Sequence, residues 1–163
     1  MGEFLDGLAL KVAVRRDDVG PLVLWAPIVH GERYLQELLR INLTTQMAVY
    51  REIRDDREAL GRVLTSGGTV NVDGYEMTRE MADELSALSL LSETTQPSGP
   101  TLIAQLERSE AAKPQAEMVE MASRMPACEL RVVREEPFWK EIPRFYDRAP
   151  NLFAETLAWL ERC

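Results

Sequence analysis

The feature that most constrains this chain is an uninterrupted apolar run at residues 21–26, Pro-Leu-Val-Leu-Trp-Ala, bounded by Gly20 and Pro27. A strand with one wet face alternates apolar and polar residues, so a strand apolar at every position needs cover on both faces, as in a parallel sheet sandwiched by helices. Residues 101–106 read as a second such strand and 128–133 as a third. Helical patterns follow each of these two. Pro114 stands where the first residue of one helix belongs, ahead of Met118, Met121, Ala122 and Met125, and Pro150 opens another with Leu152, Phe153, Leu157 and Leu160 inward. The alternation predicts an α/β fold: a partial parallel sheet of three or more strands flanked by helices.

The stretch between the first two strands has a different rhythm. Tyr34, Leu35, Leu38, Leu39, Leu43, Met47 and Tyr50 recur at spacings of three and four, which predicts a long amphipathic helix. A shorter helix is expected after Asp55 or Asp56, burying Leu60, Val63 and Leu64 and stopping at Gly67-Gly68. Residues 69–72 alternate as a short strand before the Asp73-Gly74 turn. Thr78 then caps a helix that buries Met81, Ala82, Leu85 and Leu88. The chain is thus expected to comprise a helix and first core strand at 1–29, a mainly helical, lid-like insertion at 30–91, and a strand-helix-strand-helix segment at 92–163, within one structural domain. The polar, proline- and glycine-containing stretch 92–99 marks the one internal boundary.

Charge narrows the partners. With 27 Asp and Glu against 19 Lys and Arg, the net charge of −8 opposes a phosphate-binding surface, so nucleic acid is not expected. The longest apolar stretch, 19–29, is interrupted by two prolines and a glycine and falls short of the roughly 18 residues of a membrane-spanning helix. No signal peptide is legible at residues 1–10, and two cysteines, Cys128 and Cys163, make neither a disulfide framework nor a zinc cluster; a cytoplasmic location is expected. Asp55, Asp56 and Asp73 lack calcium-loop spacing, and no cofactor or metal is expected.

Few residues are suited to catalysis. His30 is the only histidine, and so the only side chain whose ordinary pKa suits base chemistry near neutrality. It lies just past the carboxyl end of the first strand, where ligands of open α/β sheets gather. A single loop histidine equally serves at a surface or a helix cap. Glu107 and Glu110 follow the second strand, where a carboxylate could hold an imidazole in the required tautomer; the alternative is a pair of solvated loop glutamates. Glu135 and Glu136 follow the third strand, where two carboxylates could form a paired site, but with Arg134 and Lys140 flanking them they read as an exposed charge cluster. Phe138-Trp139 either wedges the last helix or lines a pocket mouth. No Gly-x-Ser-x-Gly elbow occurs.

Four segments in one order carry a family resemblance. Gly20-Pro-Leu-Val-Leu-Trp-Ala-Pro-Ile28 followed by Gly31-Glu-Arg-Tyr-Leu-Gln-Glu-Leu-Leu-Arg40 resembles the strand and lid entrance of serine α/β hydrolases, particularly the type-two hydrolase associated with the exosortase A system. Asn71-Val-Asp-Gly-Tyr-Glu-Met-Thr78, and Glu136-Pro-Phe-Trp139 ahead of the final apolar helix, resemble later segments of that family. The resemblance implies the carboxyl-terminal portion of an ester or thioester hydrolase, with nucleophile and oxyanion hole supplied by an earlier region. Its acid slot falls at Glu107 to Glu110. Its histidine slot falls around 135–139, where this sequence has none, leaving His30 or a neighbouring chain as the source of a base. The expected activity of the chain alone is therefore nil. The competing expectation is a non-catalytic acyl- or protein-binding module. A sheet that lacks neighbours on its edges further predicts self-association into a homo-oligomer, beside a small acyl substrate as the other partner.

Overall fold

The computed structural model describes residues 2–72, 74–91, 97–109, 111–136 and 149–163, apart from the side chains of 2–6 and 8. The elements are α1 (Gly2–Val14), β1 (Leu22–Trp25), α2 (Gly31–Tyr50), α3 (Arg57–Thr65), β2 (Val70–Val72), β3 (Tyr75–Met77), α4 (Arg79–Ser86), β4 (Thr101–Glu107), α5 (Ala116–Ser123), β5 (Cys128–Arg134) and α6 (Pro150–Leu160). They fall into two compact units, residues 1–29 with 90–163, and residues 30–89.

The first unit is a parallel sheet of order β1-β4-β5 flanked by helices, so the α/β class expected from the apolar runs is observed. Register fixes which side chains share a face. Trp25 stands beside Ala104 and Leu106 beside Val133. These residues pack with Leu152 of α6 and with Ala149 just before it. Gln105 therefore points to the opposite face, where its side chain binds the backbone leading into α5. Helices α5 and α6 thus cover opposite faces of the sheet, while α1 packs on β1. Leu24, Leu102 and Ile103 are fully buried, as strands covered on both sides require.

Helix α6 departs from the expected phase. Its buried face is Leu152, Thr156 and Trp159, whereas Phe153, Leu157 and Leu160 are 49%, 58% and 40% exposed. The buried threonine is the reason a hydrophobicity pattern misplaces this face: its hydroxyl accepts a 3.1 Å bond from Trp25 Nε1, which satisfies both polar groups at once. Phe153 still meets the edge of Trp25, with ring centroids 5.4 Å apart. Helix α5 begins at Ala116, two residues beyond the proline expected to open it. Its methionines at 118 and 121, with Met125 beyond it, are buried as expected.

The second unit contains α2, α3, the antiparallel β2–β3 hairpin and α4. Asp56 caps α3 through Ala59 N, and Thr78 caps α4 through Met81 N. Gly31 is obligatory for packing, because a Cβ there would lie 1.7 Å from the Leu85 carbonyl oxygen. The inner face of α2 bends away from the expected stripe: Leu35 and Leu39 are buried, but Met47 and Tyr50 are exposed and Gln46 takes the inside position. Met81 is likewise exposed on α4, leaving Ala82, Leu85 and Leu88 to the core. Tyr50 instead carries the Arg54 guanidinium over its ring at 3.8 Å.

Candidate functional site

The carboxyl ends of β1, β4 and β5 form the pole where open parallel sheets place their chemistry. Directly after β1, Ala26 has φ +50°, a left-handed conformation unusual for a residue with a Cβ, and its N–H still bonds Ala104 O at 2.8 Å. The chain is thus held to the sheet for one residue more, then turned sharply at the pole.

Glu107 ends β4 and is half-buried. Its Oε1 accepts from Gln105 Nε2 at 2.8 Å and from Gln115 Nε2 at 3.1 Å. Gln105 is 2% exposed; it donates also to Lys113 O and accepts from Gln115 N at 2.8 Å. One buried amide therefore ties Lys113 and Gln115 to the strand and sets the carboxylate of Glu107, which is oriented and not merely solvated. Glu110, the other half of the expected acid slot, lies outside the described residues, as do Phe138 and Trp139.

Glu135 corrects the expectation of an exposed charge cluster. It is 4% exposed, and its Oε2 accepts from Asn151 N at 3.0 Å. Pro150 has no N–H to offer at the first position of α6, so the carboxylate meets the first available donor of that helix, at the positive end of its dipole. Asn151 Nδ2 completes the clasp on Arg134 O at 2.7 Å. Only Glu136 keeps the surface role, pairing with Arg108 at 3.5 Å. The backbone bond from Glu135 N to Glu107 O brings the ends of β4 and β5 together, so Glu107 and Glu135 belong to one pole.

His30 belongs to the second unit. It is the N-cap residue of α2, though its side chain makes no capping hydrogen bond, and its backbone forms an isolated antiparallel bridge with Ser89. The neck of that unit fixes its position. The place of Glu107 after a strand singles it out in the sequence as a candidate, whereas nothing there marks Gln105, Gln115 or Asn151; glutamine and asparagine carry no titration signal, and their partners lie at a distance in sequence or in the backbone.

At the other pole, Glu129 at the second position of β5 is held below the usual carboxylate range, chiefly by the Arg131 guanidinium and also by Arg162. Arg131 bridges Glu129 and Glu155 of α6. Burial, then the charge of Glu129, pushes the Cys128 thiol up to about 11. Among the described residues no cluster of three or more His, Cys, Asp or Glu could hold a metal, and no helix is long and apolar enough to cross a membrane.

The class defined by this architecture is a helix-flanked parallel α/β sheet with a sixty-residue unit inserted between its first two strands. No protein-family model matches the chain, and no curated protein matches it.

Proposed function

We propose that the chain is the acid-bearing half of a serine α/β hydrolase, acting on esters or thioesters, in which residues 30–91 serve as the lid and Glu107 as the acid. The observation that carries this reading is the order strand, inserted unit, strand, α5, strand, α6, with α5 and α6 on opposite faces and an oriented glutamate ending the middle strand. It agrees with the four sequence segments that resemble the exosortase-associated hydrolases.

In such a reaction a carboxylate orients an imidazole, which takes the proton of a serine as the hydroxyl attacks the acyl carbon. Glu107 fits the first of these roles: two amides hold one oxygen of its carboxylate and leave the other available among the described residues. The chain supplies no elbow serine and no histidine after β5, so turnover requires a nucleophile and a base from polypeptide joined to or associated with it. The 163-residue chain alone is expected to resist fluorophosphonate labelling.

The test reads the coding DNA upstream of Met1 and expresses any longer in-frame product. An elbow serine that labels with fluorophosphonate, and whose labelling falls at least about tenfold in Glu107→Gln, supports the reading. A longer product without an elbow, or one whose labelling ignores Glu107, overturns it. The second reading is a non-catalytic acyl- or protein-binding module, favoured by the exposed apolar side chains of α6, Phe153, Leu157 and Leu160. It predicts saturable binding of a fluorescent fatty acid that Leu157→Lys weakens.

A further inference from the structure

The two cysteines of the chain stand at the pole opposite Glu107. Cys128 is the first residue of β5, and Cys163 follows the last turn of α6, its N–H bonded to Leu160 O at 3.2 Å. Their sequence neighbours meet, because Arg162 Nη2 lies 3.4 Å from both carboxylate oxygens of Glu129. Both cysteines also line one cavity of about 460 Å³, with Pro126, Trp159 and that Glu129–Arg162 pair. Both thiols are free. Cys128 Sγ rests 3.8 Å from Glu129 O and Cys163 Sγ 3.5 Å from Trp159 O, weak contacts that a change of χ1 gives up at little cost.

The geometry points to Cys128 and Cys163 as a dithiol–disulfide pair, closed by hydrogen peroxide, that fastens the end of α6 to the start of β5. The exposed Cys163 meets the oxidant first. Its thiol gives up a proton to solvent, the sulfur attacks one peroxide oxygen, the O–O bond breaks, and the departing hydroxide takes a proton back from solvent, leaving sulfenic acid and water. The Cys128 sulfur then attacks the sulfenic sulfur; the S–S bond forms, the S–O bond breaks, and the hydroxyl leaves as water with the Cys128 proton. One peroxide is reduced to two waters and two thiols are oxidised to one disulfide. The resolving role suits Cys128, because burial keeps its sulfur protonated at neutral pH and makes it the slower partner toward small oxidants. A small dithiol reductant reverses the reaction.

The whole chain, treated with hydrogen peroxide at micromolar protein concentration, is unfolded, alkylated with iodoacetamide and weighed. The expected product is a monomer two hydrogens lighter that takes no alkyl group until reduced, and whose Tm exceeds that of the reduced chain. In Cys128→Ser the sulfenic acid at Cys163 persists and is trapped by dimedone. Oxidised wild-type chain that is entirely disulfide-linked dimer, or that carries sulfinic acid at Cys163 while Cys128 still alkylates, overturns the pairing.

Discussion

Gln105 and Gln46 perform one task in two unlike settings. In the sheet unit, Gln105 holds a loop by accepting from Gln115 N and donating to Lys113 O. In the inserted unit, Gln46 accepts from Arg54 N at 2.7 Å and Asp55 N at 2.9 Å while donating to Asp55 O. A primary amide carries donors and an acceptor on one rigid plane, so a single buried side chain substitutes for the backbone partners that a loop lacks. The difference lies in where the remaining bond goes. Gln46 spends it on Asn42, a neutral neighbour one turn away, and Gln105 on Glu107, an ionisable group at the pole of the sheet. The same device is thus purely architectural in one unit and sets a titratable group in the other.

The largest effects should come from removing these amides. Gln105→Leu strands two backbone groups in a nearly solvent-free site and is expected to cost about 2–4 kcal/mol in urea unfolding, with Gln46→Leu somewhat less, because Gln46 is 7% exposed against 2%. An equal or larger loss for Gln46→Leu would break the comparison. A smaller effect is expected where the Gln46 loop enters α3: Asp56→Ala removes the bond to Ala59 N and should lower stability by about 1 kcal/mol by the same measurement. A pH-dependent effect belongs to the sheet unit alone and to alkaline conditions. Since the folded state raises the Cys128 pKa from 9.0 to about 11, the unfolded chain ionises first; the stability this contributes is whole below pH 9 and drains away as pH climbs toward 11. Cys128→Ser should flatten that portion of a stability–pH curve, with its other slopes unchanged.

What could be read from sequence follows from which forces leave a pattern. Strand β4 was legible because five consecutive residues, 101–105, are buried, and burial on both faces removes the polar alternation that other structures require. The cap at Thr78 was legible, and the start of α3 was narrowed to Asp55 or Asp56, because the cap bond is local and the residue types that make it are few. The phases of α2 and α6 were misread for the converse reason. Gln46 and Thr156 are polar residues placed inward by partners eight to one hundred and thirty-one positions away, and no window of neighbouring residues contains that information. The same limit explains Glu135. It looks solvated beside Arg134 and Glu136, and only the position of Pro150 in space turns it into a helix cap. Of the candidate site, Glu107 was visible by position and its orientation by Gln105 and Gln115 was not.

Val29 O accepts the Leu90 N–H at 3.0 Å, so the two points where the chain leaves and re-enters the sheet unit are neighbours. Residues 30–89 consequently hang on a closed doorway: excising them and splicing in a short glycine turn would span a gap no wider than one hydrogen bond, with the pairing of Leu22 to Thr101 left in place. The frame is therefore expected to keep its strand pairing when a different insert is spliced in at the same two residues.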